Sequence, residues 1–243
     1  MLNVKYLITL SIITLLVPCG ISSQIWFDIG LNVGTGTSFI TQKEFYQVNQ
    51  VNFIPKLNTT YSGKLGVNFN DKHSVVLDLG VNNRNFSIDQ NEVPGMEISE
   101  TFRMDFGLSG FRFTPVYRYT NEGSFIELGP EFGKVSSQYI NDMNELANVS
   151  VFENYTRGVF GFGGYVLGNE RVTLVIGFRI MYDLTELRTT YGKQISFPFN
   201  NYNEISNPSR LSALEFQINF ELNISLGFLY RNKCGTRTLM FKW

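Results

Sequence analysis

The chain has 243 residues, of which 43% are hydrophobic, 15% aromatic and 17% charged, so it folds as one large domain or two small ones. Twenty-two glycines against two alanines (Ala147 and Ala213) argue against a helical bundle, and a net charge of −1 gives no general attraction for nucleic acid. A single histidine excludes a multi-histidine metal site, and two cysteines cannot staple so long a chain, which leaves a large all-β body.

Residues 1–23 read as a cleaved signal peptide. Lys5 supplies the positive start and Tyr6–Val17 an apolar core too short for a membrane span. Pro18 and Gly20 break that core, and Ser22 and Ser23 offer a cleavage site before Gln24. Leu16-Val17-Pro18-Cys19 loosely mimics a lipoprotein signal, with Pro18 where a small residue is needed, so lipidation of Cys19 stays the lesser alternative. If Cys19 leaves with the signal, Cys234 is the lone thiol.

From Ile25 onward the chain alternates with a two-residue period, the signature of strands with unlike faces. Ile25, Phe27, Ile29, Leu31 and Val33 share one face of the first strand. Tyr61, Leu65, Val67 and Phe69, then Val75, Leu77, Leu79 and Val81, define the next two. Between Thr101 and Thr120 the apolar set Phe102, Met104, Phe106 and Leu108 changes parity to Phe111, Phe113, Tyr117 and Tyr119, which predicts a bulge near Ser109-Gly110. Strands follow at Ser124–Lys134 and Tyr155–Gly168. Val172 to Leu184 and Leu214 to Phe228 then alternate most regularly. Tight polar turns at 70–72, 121–123 and 168–170 separate long polar connections at 37–57, 84–98, 135–152 and 186–210.

An even strand count with alternating short and long connections predicts a single eight-stranded antiparallel up-and-down transmembrane β-barrel over residues 24–230, in the cell outer membrane. Ten strands stay open, because Phe45–Ile54 and the region around Ile98-Ser99 offer pairing above the membrane. Residues 231–243 form a tail or a strand extension, with Leu239, Phe241 and Trp243 alternating. The apolar faces of the last two strands carry no charge, as a lipid-facing wall demands: a midplane Arg or Lys there costs about 2–4 kcal/mol.

The opposite faces then line the lumen. They supply Lys64, Arg103, Arg112, Arg118, Arg157, Arg171 and Arg179 against Asp28, Asp78, Asp105, Glu127, Glu131, Asp183, Glu215 and Glu221. An eight-stranded interior holds little beyond side chains, so these charges predict a plugged lumen closed by ion pairs. The alternative is a soluble periplasmic lipocalin-like barrel with its apolar faces inward around a small apolar ligand.

Phe111-Arg-Phe-Thr-Pro115-Val-Tyr117-Arg-Tyr119, Asn121-Glu-Gly123 and Phe125-Ile-Glu-Leu-Gly129-Pro130-Glu-Phe-Gly133 form a proline-containing aromatic strand, a tight turn and an apolar Gly-Pro strand. This arrangement, with Gly161-Phe-Gly163-Gly164-Tyr165 and the strand Arg171–Leu184, resembles the PorT-like outer-membrane β-barrel proteins of the Bacteroidota. The resemblance spans Gln24–Tyr230; some of the proteins it points to take part in protein secretion across the outer membrane while most have no assigned activity, and it carries over no catalytic residues, so the expected role is in protein secretion or envelope organisation. The resemblance also implies that Pro115 and Pro130 are accommodated by bulges or lumen-side adjustments, since a closed barrel has no edge to shelter a missing N–H.

No enzyme chemistry is legible. His73 adjoins the Asp71-Lys72 turn at the periplasmic end and reads as an exposed turn residue, far from any rim where a barrel hydrolase would work. The glycine clusters at 34–36 and 161–164 lack the Lys-Ser/Thr of a phosphate loop. The expected role is structural or interactive: no cofactor or metal, outer-membrane lipid around the wall, and a protein partner in the envelope.

Overall fold

The computed structural model describes residues 25–44, 51–69, 72–90, 102–141, 150–168, 171–198, 209–231 and 237–241. The segment read from the sequence as a signal peptide and both cysteines lie outside the described residues. Eight long strands close an antiparallel ring: β1 (Ile25–Ile40), β3 (Leu57–Asn68), β4 (His73–Gln90), β5 (Phe102–Asn121), β6 (Ser124–Ile140), β7 (Tyr155–Gly168), β8 (Val172–Asp183) and β9 (Ala213–Arg231). Each pairs with its neighbour in the sequence of the ring, and β1 pairs with β9 from Ile25↔Leu229 to Ile40↔Ala213, which closes the cylinder. Two short strands lie off the ring, so among the described residues there are ten strands, of which eight make the barrel. β2 (Val51–Pro55) pairs with the upper end of β4, and β10 (Arg237–Phe241) pairs with the lower end of β9.

Tight turns gather at one end, called lower, and long connections at the other. The lower β5–β6 hairpin turns through Glu122 (φ 49°) and Gly123 (φ 80°), the two positive-φ residues that a two-residue loop matched to strand twist needs.

Over the lower part of the wall the outward residues are apolar: Leu31 and Val33 on β1, Leu79 and Val81 on β4, Phe111 and Phe113 on β5, and Ile218, Phe220 and Leu222 on β9 are all at least one-third exposed. Their strand neighbours Asp78, Arg112, Gln217, Asn219 and Glu221 are buried inside. Above this belt the polarity inverts. On β4 the outward series Val75, Leu77, Leu79, Val81 continues as Asn83, Asn85 and Asp89, with Ser87 on the same face but buried, while the inward series Asp78, Gly80, Asn82, Arg84 continues as Phe86 and Ile88. Pairing with β5 runs unbroken from His73↔Tyr119 to Gln90↔Phe102.

That register corrects the predicted parity switch in β5. Met104, Phe106 and Leu108 point inward with Arg112 and Arg118, so what changes along the strand is its surroundings. The bulge at Ser109/Gly110 exists in the β5–β6 ladder, but the extra residue is Ser136 on β6. The long connections are accordingly shorter than predicted: β1 reaches Ile40, β4 reaches Gln90 and β6 reaches Ile140.

Inside the upper barrel, Ile40, Phe86, Ile88, Met104, Phe106 and Leu108 pack with Val151, Phe152, Leu187, Phe197 and Leu211 from the upper connections. Phe106 stacks on Phe86 and Phe152 and meets Phe197 edge-on at 5.1 Å. A five-residue helix α1 (Thr190–Gln194), capped by the Thr189 hydroxyl accepting from the Gly192 N–H, sits in this cap. Arg188 ties it together by donating to the carbonyls of Phe197 (3.1 Å) and Ser209 (2.7 Å). Gln138 Oε1 accepts from the N–H groups of Val151 and Phe152. Burial works against the Glu44 carboxylate, yet donation from the Ser209 hydroxyl (2.6 Å) and N–H (2.7 Å) outweighs it and lowers the Glu44 pKa.

Pro115 and Pro130 face each other across one seam. The β5–β6 ladder runs to Phe113↔Phe132 and resumes at Tyr117↔Leu128, while Pro115 stays paired to β4 and Pro130 to β7. Both missing donors therefore fall in a single gap in place of the predicted bulges. Lumen side chains span it: Thr114 Oγ1 donates to Glu131 at 3.1 Å, and Arg112 bonds the same carboxylate at 3.1 Å.

Candidate functional site: the sealed lumen

Each strand sends every second side chain into a cylinder too narrow for water-filled passage. Small residues make the room. A Cβ on Gly161 would fall 2.6 Å from Glu127 Cγ, and one on Gly133 would strike the Tyr155 ring.

The charged side chains form one alternating chain of ion pairs. Lys64 meets Glu221, which holds Arg118 at 2.9 Å. Arg118 holds Glu127 (2.8 Å), Glu127 holds Arg179 (2.5 Å), and Arg179 holds Asp78 (2.9 Å). Asp78 binds Arg112 (3.1 Å), which binds Glu131 (3.1 Å), and Glu131 meets Arg157. Arg157 binds Glu215 (2.5 Å), Glu215 binds Arg84 (3.3 Å), and Arg84 ends the chain on Asp183 (2.8 Å). Six cations match six carboxylates, all with side chains at most 4% exposed. Neutrality and shared partners are what allow so many charges to leave water, since an isolated buried ion costs several kcal/mol.

Aromatic rings close both ends. The Arg118 guanidinium lies 4.0 Å over Phe125 at the bottom, and Arg84 and Arg157 flank Tyr155 at 5.1 and 5.2 Å below the apolar cap. Asn82 Nδ2 donates to the Tyr155 hydroxyl. The wall toward β9 carries amides, where Gln217 donates to Thr60 at 3.0 Å.

Of the residues assigned to the lumen from sequence, Lys64, Asp78, Arg112, Arg118, Glu127, Glu131, Arg157, Arg179, Asp183, Glu215 and Glu221 come together in this chain. Asp28 stands apart near the lower mouth, accepting from Asn68 at 2.6 Å. Arg103 and Asp105 lie on the outer wall above the apolar belt, where Arg103 pairs with Asp89 (2.8 Å) and Asp105 with Lys56 (3.4 Å). They were misplaced by the assumed parity change. Arg171 belongs to the exposed β7–β8 turn, not to a strand. Arg84, fully buried, falls in the stretch 84–98 that reads as a polar connection; the alternation of Arg84, Phe86 and Ile88 with Asn83, Asn85 and Ser87 is the signal that places it on a strand. His73 opens β4 instead of sitting in the turn, hydrogen-bonded through Nδ1 to the Tyr117 hydroxyl and 5.3 Å from the Tyr119 ring. Among the described residues no group of His, Cys, Asp and Glu could hold a metal ion.

The described strands form an all-β antiparallel ring of eight, charged within and apolar without over its lower part. Solved structures similar to it include the outer membrane protein OprG from Pseudomonas aeruginosa (13% identity, TM-score 0.44, covering 83% of this chain and 96% of that one). Neisserial surface protein A is 12% identical over 82% of this chain and 96% of its own, with a TM-score of 0.41. Ail, the attachment invasion locus protein of Yersinia pestis, is 11% identical over 82% and 99%, with a TM-score of 0.38. No family model matches the chain, and no curated protein does.

Proposed function

We propose that this chain is an integral outer-membrane protein, exported by its N-terminal signal, whose sealed barrel anchors a folded cap on the cell surface. Its role is structural or interactive, in protein secretion or envelope organisation, through contacts of the cap or the lower turns with another envelope protein. The observation that carries this reading is the pairing of an unbroken, neutral ion-pair chain inside with an uncharged belt of Leu, Val, Ile and Phe outside. Such a wall suits hydrocarbon, and such an interior leaves no path for solutes. The resemblance of the β5–β6 hairpin to PorT-like proteins supports the secretion assignment. The reading includes no catalytic step and no cofactor.

A soluble barrel that stores an apolar ligand would need an apolar interior, and the volume it requires holds Arg112, Arg157, Arg179 and their carboxylates. Alkaline carbonate extraction of membranes separates the two: the protein is expected in the pellet, and release into the supernatant would overturn membrane integration. In planar bilayers the purified barrel is expected to show no steady channels; large sustained conductance would remove the sealed-lumen assignment.

A further inference from the structure

The lower end of β9 outlasts the strands on either side of it. Its ladder with β8 stops at Val172↔Ile224, and its ladder with β1 stops at Ile25↔Leu229. Along the last residues of β9, β10 takes the place of β8, pairing from Phe241↔Gly227 to Arg237↔Arg231. The two strands make a hairpin that carries one lane of the wall below the ring. Among the described residues β10 pairs with β9 alone, so its far edge has no neighbouring strand. In an antiparallel pair every second residue turns its N–H and C=O away from the partner strand. The five residues of β10 therefore present a short row of backbone donors and acceptors, the template on which a further strand adds.

Charge sets this hairpin apart from the rest of the lower end. Residues 231–243 include Arg231, Lys233, Arg237 and Lys242 and no Asp or Glu. The three tight turns beside it carry Asp71, Lys72, Glu122, Glu170 and Arg171, where acids and cations nearly cancel. Four cations on a strand edge discourage pairing with a second copy, whose identical hairpin would bring four more. The same cations draw an acidic strand. Lipid headgroups would meet the charges and leave the backbone row to water; an extended segment with carboxylates answers both.

We propose that the free edge of β10 receives an extended acidic segment of another envelope protein as an added strand. The proposal rests on the membrane reading above, in which the lower end faces the periplasm. It gives the partner a chemistry: a short extended stretch rich in Asp or Glu, held by main-chain hydrogen bonds and matched in charge to residues 231–243.

The test uses the full chain in phosphatidylcholine nanodiscs and a fluorescent peptide alternating Glu with Val, with binding read by anisotropy. Wild type is expected to bind this peptide about tenfold more tightly than its counterpart with Lys in place of Glu. Methylating alternate backbone nitrogens of the Glu peptide keeps its charge and removes the donors of one edge, and is expected to weaken binding about tenfold. Arg237→Gln combined with Lys242→Gln is expected to weaken binding about fivefold, the effect of two exposed charges. Lys193→Gln, on the cap at the opposite end, is expected to change nothing. If the double variant fails to refold by circular dichroism, the three peptides carry the test on wild type. Equal binding of the Glu and Lys peptides, or of the methylated and unmethylated ones, would overturn the proposal. So would loss of binding when phosphatidylglycerol replaces half of the lipid, which would assign the cations to the membrane surface. A dimer in detergent that the peptide dissolves would assign the edge to a second copy and overturn it equally. Release of wild type by carbonate would sink the membrane reading and with it the periplasmic partner; a carbonate-resistant protein that does not discriminate among the peptides sinks the strand site alone.

Discussion

The lower and upper halves of this barrel are built from the same strands with opposite polarity. In the lower half Asp78 and Arg112 point inward and Leu79 and Phe111 outward; a few residues higher, Phe86 and Phe106 point inward and Asp89 and Arg103 outward. The backbone register between β4 and β5 does not change. Two environments therefore divide the wall. On the membrane reading proposed above, hydrocarbon takes the lower apolar side chains and the interior must satisfy its polar groups among themselves. Above, water takes the polar side chains and the interior closes by ordinary burial of Phe, Met, Ile and Leu. The lower half gains its rigidity from electrostatic matching, the upper half from packing.

If that division is right, the two halves fail differently. The largest loss is expected from Glu131→Ala, which strips one partner from both Arg112 and Arg157 and reopens the Pro115–Pro130 gap on its lumen side. Removing one member of a buried ion pair costs about 3–5 kcal/mol, here read as a lower denaturant midpoint for refolded protein in lipid. An unchanged midpoint would mean that the ion-pair chain contributes nothing to holding the barrel.

Phe106→Ala removes the ring that touches Phe86, Phe152 and Phe197, at a cost of about 3–5 kcal/mol by cavity formation, but confined to the cap. Limited proteolysis should then nick the connections at 150–154 and 184–198 while the ring strands stay protected. Loss of the whole barrel at once would show that cap and barrel unfold as one unit.

The outward faces sharpen the same contrast. Phe220→Arg, in the middle of the β9 belt, is expected to cost about 2–4 kcal/mol, whereas Asn83→Arg, above the belt on β4, is expected to cost no more than about 1 kcal/mol. Equal penalties at the two positions would erase the boundary between them.

This division also explains what the sequence made legible. β8 and β9 were readable end to end because their outward faces, from Leu174 to Tyr182 and from Leu214 to Leu226, stay apolar throughout. β4 and β5 cross the boundary, so alternation of polar and apolar residues reverses sense along a regular strand. In a one-dimensional pattern that reversal looks the same as a one-residue slip, and it sent Arg103 and Asp105 to the wrong side of the wall. Polar outward residues such as Asn83 and Asn85 made the top of β4 resemble a loop, which hid Arg84. Most of the lumen charges were legible because nothing but a polar interior accommodates Arg157 or Glu221 amid apolar neighbours. Their pairing order was not, because Lys64 and Glu221 or Arg84 and Asp183 are joined by strand register round the ring, which no local pattern carries.

The smallest expected effect lies at the exposed pair of the upper wall. The hydrogen bond from Arg103 holds the Asp89 carboxyl below the usual carboxylate range. A lowered folded-state pKa gives stability that is present above the unfolded pKa of about 3.9 and is lost as pH falls through the folded value. Asp89→Asn should therefore lower the thermal midpoint slightly near pH 6, and the difference from wild type should shrink as pH falls below the unfolded pKa of about 3.9 and through the lower folded value. Salt should shrink the same difference, because this pair sits in water and is screened. The lumen chain, sealed from solvent, should respond to salt far less, so a shared salt dependence of Asp89→Asn and Glu131→Ala would place both in the same wet environment and break the contrast between the halves.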